Sequence, residues 1–197
     1  MKRFLAQLTC LAVWLIPTAA FAHVGVGSSS GLAHGFMHPL SGLDHQLAMV
    51  LVGILAFQLG GRALWLVPLA FVSTMAFGGV LGVAAVSVPF VEIGISLSVI
   101  VLGAGVAFGN KPSVAFAMAM VGLFAIFHGH AHGTEMPLDV SGVAYAAGFL
   151  VATTLLHAIG IGVGYTIASS QAYGKTICCL TGGLASVVGL GLLTGLV

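Results

Sequence analysis

Six apolar runs of membrane-spanning length follow one another along this chain, at about 39–59, 63–85, 90–109, 113–132, 141–168 and 176–197, each near the roughly 20 residues a helix needs to cross hydrocarbon. No other feature restricts the fold as much, because a segment in lipid must satisfy its own backbone hydrogen bonds. The runs predict an all-α membrane protein, a six-transmembrane-helix bundle. The gaps are short and carry turn residues: Gly60-Gly61-Arg62, Ser87-Val88-Pro89, Asn110-Lys111-Pro112, residues 133–141 and residues 171–175. Charged residues are 5% of the chain, against about 25% in a soluble domain, so the partner of most of the surface is the lipid bilayer. A net charge of +1 excludes nucleic acid as an expected partner. Glycine, 29 of 197 residues, suits helices that approach closely through small faces such as Gly78 with Gly82 and Gly160 with Gly164.

Residues 1–22 have the parts of a cleavable secretory signal: Lys2 and Arg3, an apolar stretch from Phe4 to Ile16, Pro17, then Ala20-Phe21-Ala22. Cleavage makes His23 the first residue of a mature domain spanning 23–197, and removes Cys10. With His23 outside, the first, third and fifth gaps face the cytoplasm, and they hold Arg62, Lys111 and Lys175, every cation of the mature chain. Six crossings put both mature termini outside. The acids Asp44, Glu92, Glu135 and Asp139 then fall at or near the outer ends of their helices.

Ionisable groups are expensive in a bilayer, so those that occur there read as functional. They gather in two clusters, H-P-L-S-G-L-D-H from His38 to His45 and F-H-G-H-A-H-G-T-E from Phe127 to Glu135. Imidazole beside carboxylate is the ligand set of a borderline divalent cation. In a regular helix His38 and His45 would share a face, with Asp44 turned about 100° away; Pro39 and Gly42 predict instead an irregular start that can bring Asp44 round. His128, His132 and Glu135 stand at i, i+4 and i+7 and should line one stripe, with His130 on another face. Glu92, entering the third helix from the same side, is either a further ligand or an interfacial carboxylate. His157, past the middle of the fifth helix, is either a hydrogen-bonded packing residue or a lower ligand. The α-amine and imidazole of His23 could chelate one cation together, the alternative being a terminus with no such role. Cys178 and Cys179 read as helix packing residues near the cytoplasmic end.

The spacing of an H-E-x-x-H metalloprotease is missing, as are a G-x-S-x-G nucleophile turn and a P-loop. No enzyme activity, ATPase or prosthetic group is therefore expected.

At these residues the chain resembles the HupE/UreJ family of nickel permeases, associated with hydrogenase and urease maturation. The pattern H-P-x-x-G-x-D-H is matched by His38, Pro39, Gly42, Asp44 and His45. The pattern F-H-G-x-A-H-G-x-E is matched by Phe127, His128, Gly129, Ala131, His132, Gly133 and Glu135. The resemblance covers essentially the whole chain and implies uptake of Ni²⁺ across the bacterial inner membrane, with these histidines and acids as metal residues and Phe71 and Glu92 as further functional positions. It also implies an indirect service to hydrogenase or urease maturation. Ligand chemistry alone leaves Co²⁺ open, because nitrogen and oxygen donors suit both ions. Two other readings compete: a metal-binding accessory protein that does not transport, and a membrane haem protein with paired histidine ligands. A homo-oligomer is left open.

Overall fold

The computed structural model describes residues 31–138, 140–170 and 172–196. The expected signal at 1–22, His23 and Asp139 lie outside the described residues. Regular structure among those described is entirely helical: α1 (Gly31–Met37), a 3-10 turn (His38–Leu40), α2 (Leu43–Leu59), α3 (Ala63–Val83), α4 (Val91–Phe108), α5 (Val114–Thr134), α6 (Gly142–Ser169) and α7 (Gly174–Thr194).

Five of these, α3 to α7, are long and apolar enough to cross a membrane, and their bounds fall within a few residues of the apolar runs. The first run behaves differently. Its helix begins only at Leu43, and the segment Gly31–Leu40 meets it at a bend of 80°, so the pair makes a sixth span only if counted as one broken element. The break follows from local chemistry. Pro39 offers no N–H, and Gly42 is extended (φ −93°, ψ 124°), ending one helix path and starting another. Side chains then take up carbonyls freed by the interruption. The Ser41 hydroxyl donates to the His38 carbonyl at 2.6 Å, and the Gln46 amide donates to the Leu40 carbonyl at 2.7 Å.

The bundle is assembled from close helix pairs, and small residues set how close they come. α3 and α5 run side by side with Gly129 against the Met75 carbonyl and Gly133 against the Gly79 carbonyl. α2 crosses α6 where Gly53 and Gly160 meet, and α4 crosses α7 where Gly103 and Gly182 meet. All four glycines of the small faces expected from sequence, Gly78, Gly82, Gly160 and Gly164, lie at such crossings. The core is centred on α2, which buries Met49, Leu51, Val52, Ile54 and Leu55, and it continues through Phe71 and Met75 of α3 and Leu102 of α4.

The helix directions alternate, as these pairings require. Arg62, Lys111 and Lys175 consequently flank the turns at one end of the bundle, while Asp44, Glu92 and Glu135 lie toward the other. That second end is where the two clusters converge.

Candidate metal centre

The residues of the second motif divide among several tasks, because a helix presents a different face every 100°. Phe127 packs its ring on Gly94 of α4. Gly129 and Gly133 lie on the backbone of α3. His130 turns toward the α3–α4 connection, where its Nε2 donates to the Val86 carbonyl at 2.8 Å. The remaining face carries His128, His132 and Glu135, and the first motif meets them there.

The two motifs interleave into a column of imidazoles. His38 pairs with Glu135 at 2.9 Å (Nε2 to Oε2), and its ring centroid lies 4.7 Å from that of His132. The His132 ring is 4.2 Å from His45, and His45 is 4.7 Å from His128. Below these, the Phe71 ring stands 5.8 Å from His128 and 5.1 Å from His157. Side-chain exposure falls from 57% at Glu135 and 26% at His38, while His132, at 3%, and His128, at 0%, are wholly enclosed as residues. The column therefore leads from an open mouth into the bundle.

Hydrogen bonds fix which nitrogen of His45 and of His128 stays free. The Asp44 carboxylate accepts from both the backbone N–H and Nδ1 of His45, each at 2.8 Å. A carboxylate accepts only, so His45 carries its proton on Nδ1 and its Nε2, buried and without a partner, is a bare lone pair. Asp44 thus orients the His45 ring, the position a carboxylate takes behind histidines that bind metal. Gly42 matters here through lack of bulk: a Cβ at this position would lie 2.7 Å from Asp44 Oδ1 and 3.1 Å from His45 Nδ1. Its backbone angles are open to any residue, so space rather than flexibility selects glycine.

His128 is set in the same way by a residue the sequence did not advertise. The Ser98 hydroxyl, in the middle of α4, lies 2.6 Å from the Ile95 carbonyl and 2.8 Å from His128 Nε2. Its single proton serves the carbonyl, so Nε2–H of His128 donates to Ser98 and Nδ1 is left as a buried lone pair without a partner. Both nitrogens of His132 lack partners as well, and its ring rests on Phe149 at 4.1 Å. At the mouth, one ligand atom from each of His38, His132 and Glu135 lies within 4.8 Å of the others, close enough to hold one ion. The C-terminal end of α5, capped by Glu135, adds the negative pole of its helix dipole, which favours a cation by about 0.3–1 kcal/mol.

Glu92 is not brought into this group. It is exposed in the first turn of α4, and no hydrogen bond or ion pair joins its carboxylate to the histidines. His130, as its spacing implied, is off the column. Ser98, Phe149 and Tyr145, whose ring lies 5.9 Å from that of His38, are the contributors that sequence reasoning missed. A serine between apolar neighbours of a long helix carries no motif, and its partner lies 30 positions away.

Replacing Ser98 with alanine strands the His128 N–H and frees the ring to turn. Metal affinity measured by titration calorimetry on purified protein is expected to fall about 10–100-fold, as for loss of a residue that orients a ligand. Unchanged affinity would show that Ser98 does not position a ligand.

A sequence model described as "HupE / UreJ protein" matches residues 11–192. Protein HupE of Rhizobium leguminosarum bv. viciae is 46% identical over 190 residues, covering 95% of this chain and 96% of that protein. No solved structure matches the chain.

Proposed function

Since the chain belongs to the HupE/UreJ family, we propose that it is a permease that takes up Ni²⁺, with Co²⁺ as the nearest competitor, across the bacterial inner membrane into the cytoplasm. The observation that carries this reading is the run of imidazoles in ring-to-ring contact from the exposed mouth inward, with nitrogens of the enclosed rings buried and unpartnered. Each buried polar atom left without a partner costs about 1–3 kcal/mol, and His45, His128 and His132 together leave four. A bundle held together only by packing gains nothing from that arrangement, whereas a passing divalent ion satisfies the lone pair on each ring as it goes.

His38, His132 and Glu135 form the entry site. The exposed Glu135 carboxylate attracts the hydrated ion and begins to replace its water, and His132 draws it inward. His45 and His128, held by Asp44 and Ser98, offer the next lone pairs. A file of partial sites suits transport better than a closed tetrahedral cage, because cargo must leave as readily as it enters. With the cationic end of the bundle in the cytoplasm, an inside-negative potential favours inward movement of a divalent ion by about 4.6 kcal/mol per 100 mV. On this reading the signal at 1–22 directs insertion, both termini face outward, and the nickel delivered serves hydrogenase or urease maturation. The ring contacts also count against haem, since imidazoles that touch leave no slot for a macrocycle between them.

The test is uptake of radiolabelled nickel by nickel-starved cells expressing the protein, against empty cells, with cobalt and zinc as competitors. Accumulation above background that cobalt reduces more than zinc is the expected result. No accumulation despite correct membrane insertion would overturn the permease and leave metal binding without transport.

A further inference from the structure

The imidazole column does not end at His128. Beside the Phe71 ring, at 5.1 Å, lies His157 of α6, 1% exposed, with neither ring nitrogen hydrogen-bonded. The protein's other buried histidines supply the comparison. His45 is held by Asp44, His128 by Ser98 and His130 by the Val86 carbonyl, so each has at least one nitrogen engaged. Only His132 and His157, among the described residues, are buried with both nitrogens free, and His132 sits at the entry site. A neutral imidazole always carries one N–H and one lone pair. Burying both unpaired costs about 1–3 kcal/mol apiece, which phenylalanine or leucine would avoid while filling the same space.

We propose that His157 is a second, inner cation-binding station, separated from the outer histidines by the Phe71 ring. This rests on the permease reading and deepens it by assigning the step that follows the outer sites. Phe71 is fully buried, and its ring touches both His128, at 5.8 Å, and His157, at 5.1 Å. It forms an apolar constriction of the kind that interrupts a polar path until it moves. The next rung outward between the same two helices joins the Thr153 hydroxyl to the Met75 thioether sulfur at 3.8 Å. Thr153 lies one turn from His157 and Met75 one turn from Phe71, so an oxygen and a polarizable sulfur stand one turn to the outer side of the imidazole. The ligand class is a borderline divalent cation that keeps part of its water. One imidazole holds such an ion weakly, as a station on the way to release requires.

Equilibrium dialysis of the purified full-length protein against Ni²⁺, with metal counted per chain, tests this. The intact protein is expected to bind a second ion that His157→Phe lacks, while the outer ion keeps its affinity. His132→Ala should instead lose the outer ion. A further variant, His157→Cys with Cys178→Ser and Cys179→Ser, should show a near-ultraviolet thiolate-to-nickel charge-transfer band, which a packing position would not produce. Equal stoichiometry in the intact protein and His157→Phe, or no such band, overturns the inner station. Failure of the underlying reading looks different: the intact protein then binds no nickel, or its binding is indifferent to His132→Ala.

Discussion

Replacing His132 with alanine is expected to abolish nickel uptake, with binding at the mouth weakened by about 100-fold or more, beyond the loss usual for a residue that only orients a ligand. His132 is the one ring that touches both arms of the first motif, His38 at 4.7 Å and His45 at 4.2 Å. It also belongs to the only group among the described residues that places three ligand atoms within 4.8 Å of each other. Its removal therefore breaks the entry site and disconnects that site from the deeper rings. Stability should suffer little, because the substitution removes two unsatisfied buried nitrogens along with the ring. His130→Ala is the control on the same helix, two residues away. It loses one hydrogen bond to the Val86 carbonyl, should cost about 1 kcal/mol, and should leave uptake intact. Measuring uptake and detergent-solubilised melting for both variants separates the roles. Equal loss of uptake in the two would mean that helix integrity, not the column, is being read.

Gly129→Leu is expected to prevent accumulation of folded protein in the membrane. A Cβ at Gly129 would fall on the Met75 carbonyl, with the Gly79 amide nitrogen 2.9 Å away. Both obstacles are backbone, which cannot turn aside as a side chain can, so α3 and α5 must separate along their length. Overpacking of an ordinary core costs about 1–3 kcal/mol, and prising two helices apart exceeds that, against a total stability of about 5–15 kcal/mol. Gly183→Leu on α7 should be tolerated, since nothing lies within 4 Å of the Cβ there. Size-exclusion profiles of detergent extracts after graded heating give the comparison. A monodisperse, normally melting Gly129→Leu protein would show that the contact is not needed.

Much of this structure was legible in one dimension because lipid imposes one rule on every residue. The helices α3 to α7 could be bounded from hydropathy and the Gly, Pro and Asn punctuation between runs. The stripe of His128, His132 and Glu135 followed from helical period alone, as did the diversion of His130. The first run was legible only as irregular. Pro39 and Gly42 signalled a break, but its angle of 80° depends on α1 packing against α6, with Gly35 on the Tyr145 backbone, a contact between segments more than a hundred residues apart.

Sequence by itself determined the membrane environment, the helix count to within the broken first element, the shared end of the acids and histidines, and the ligand types available. These follow from solvent and periodicity, which act on each segment separately. Tertiary structure alone decided which nitrogens are free, that Asp44 and Ser98 orient rings, that Glu92 stands apart, and that Phe71 touches both His128 and His157. Those are properties of pairs of atoms brought together by helices that are distant in the chain. A hydrogen bond or a stranded lone pair exists only once packing has fixed both partners and excluded water.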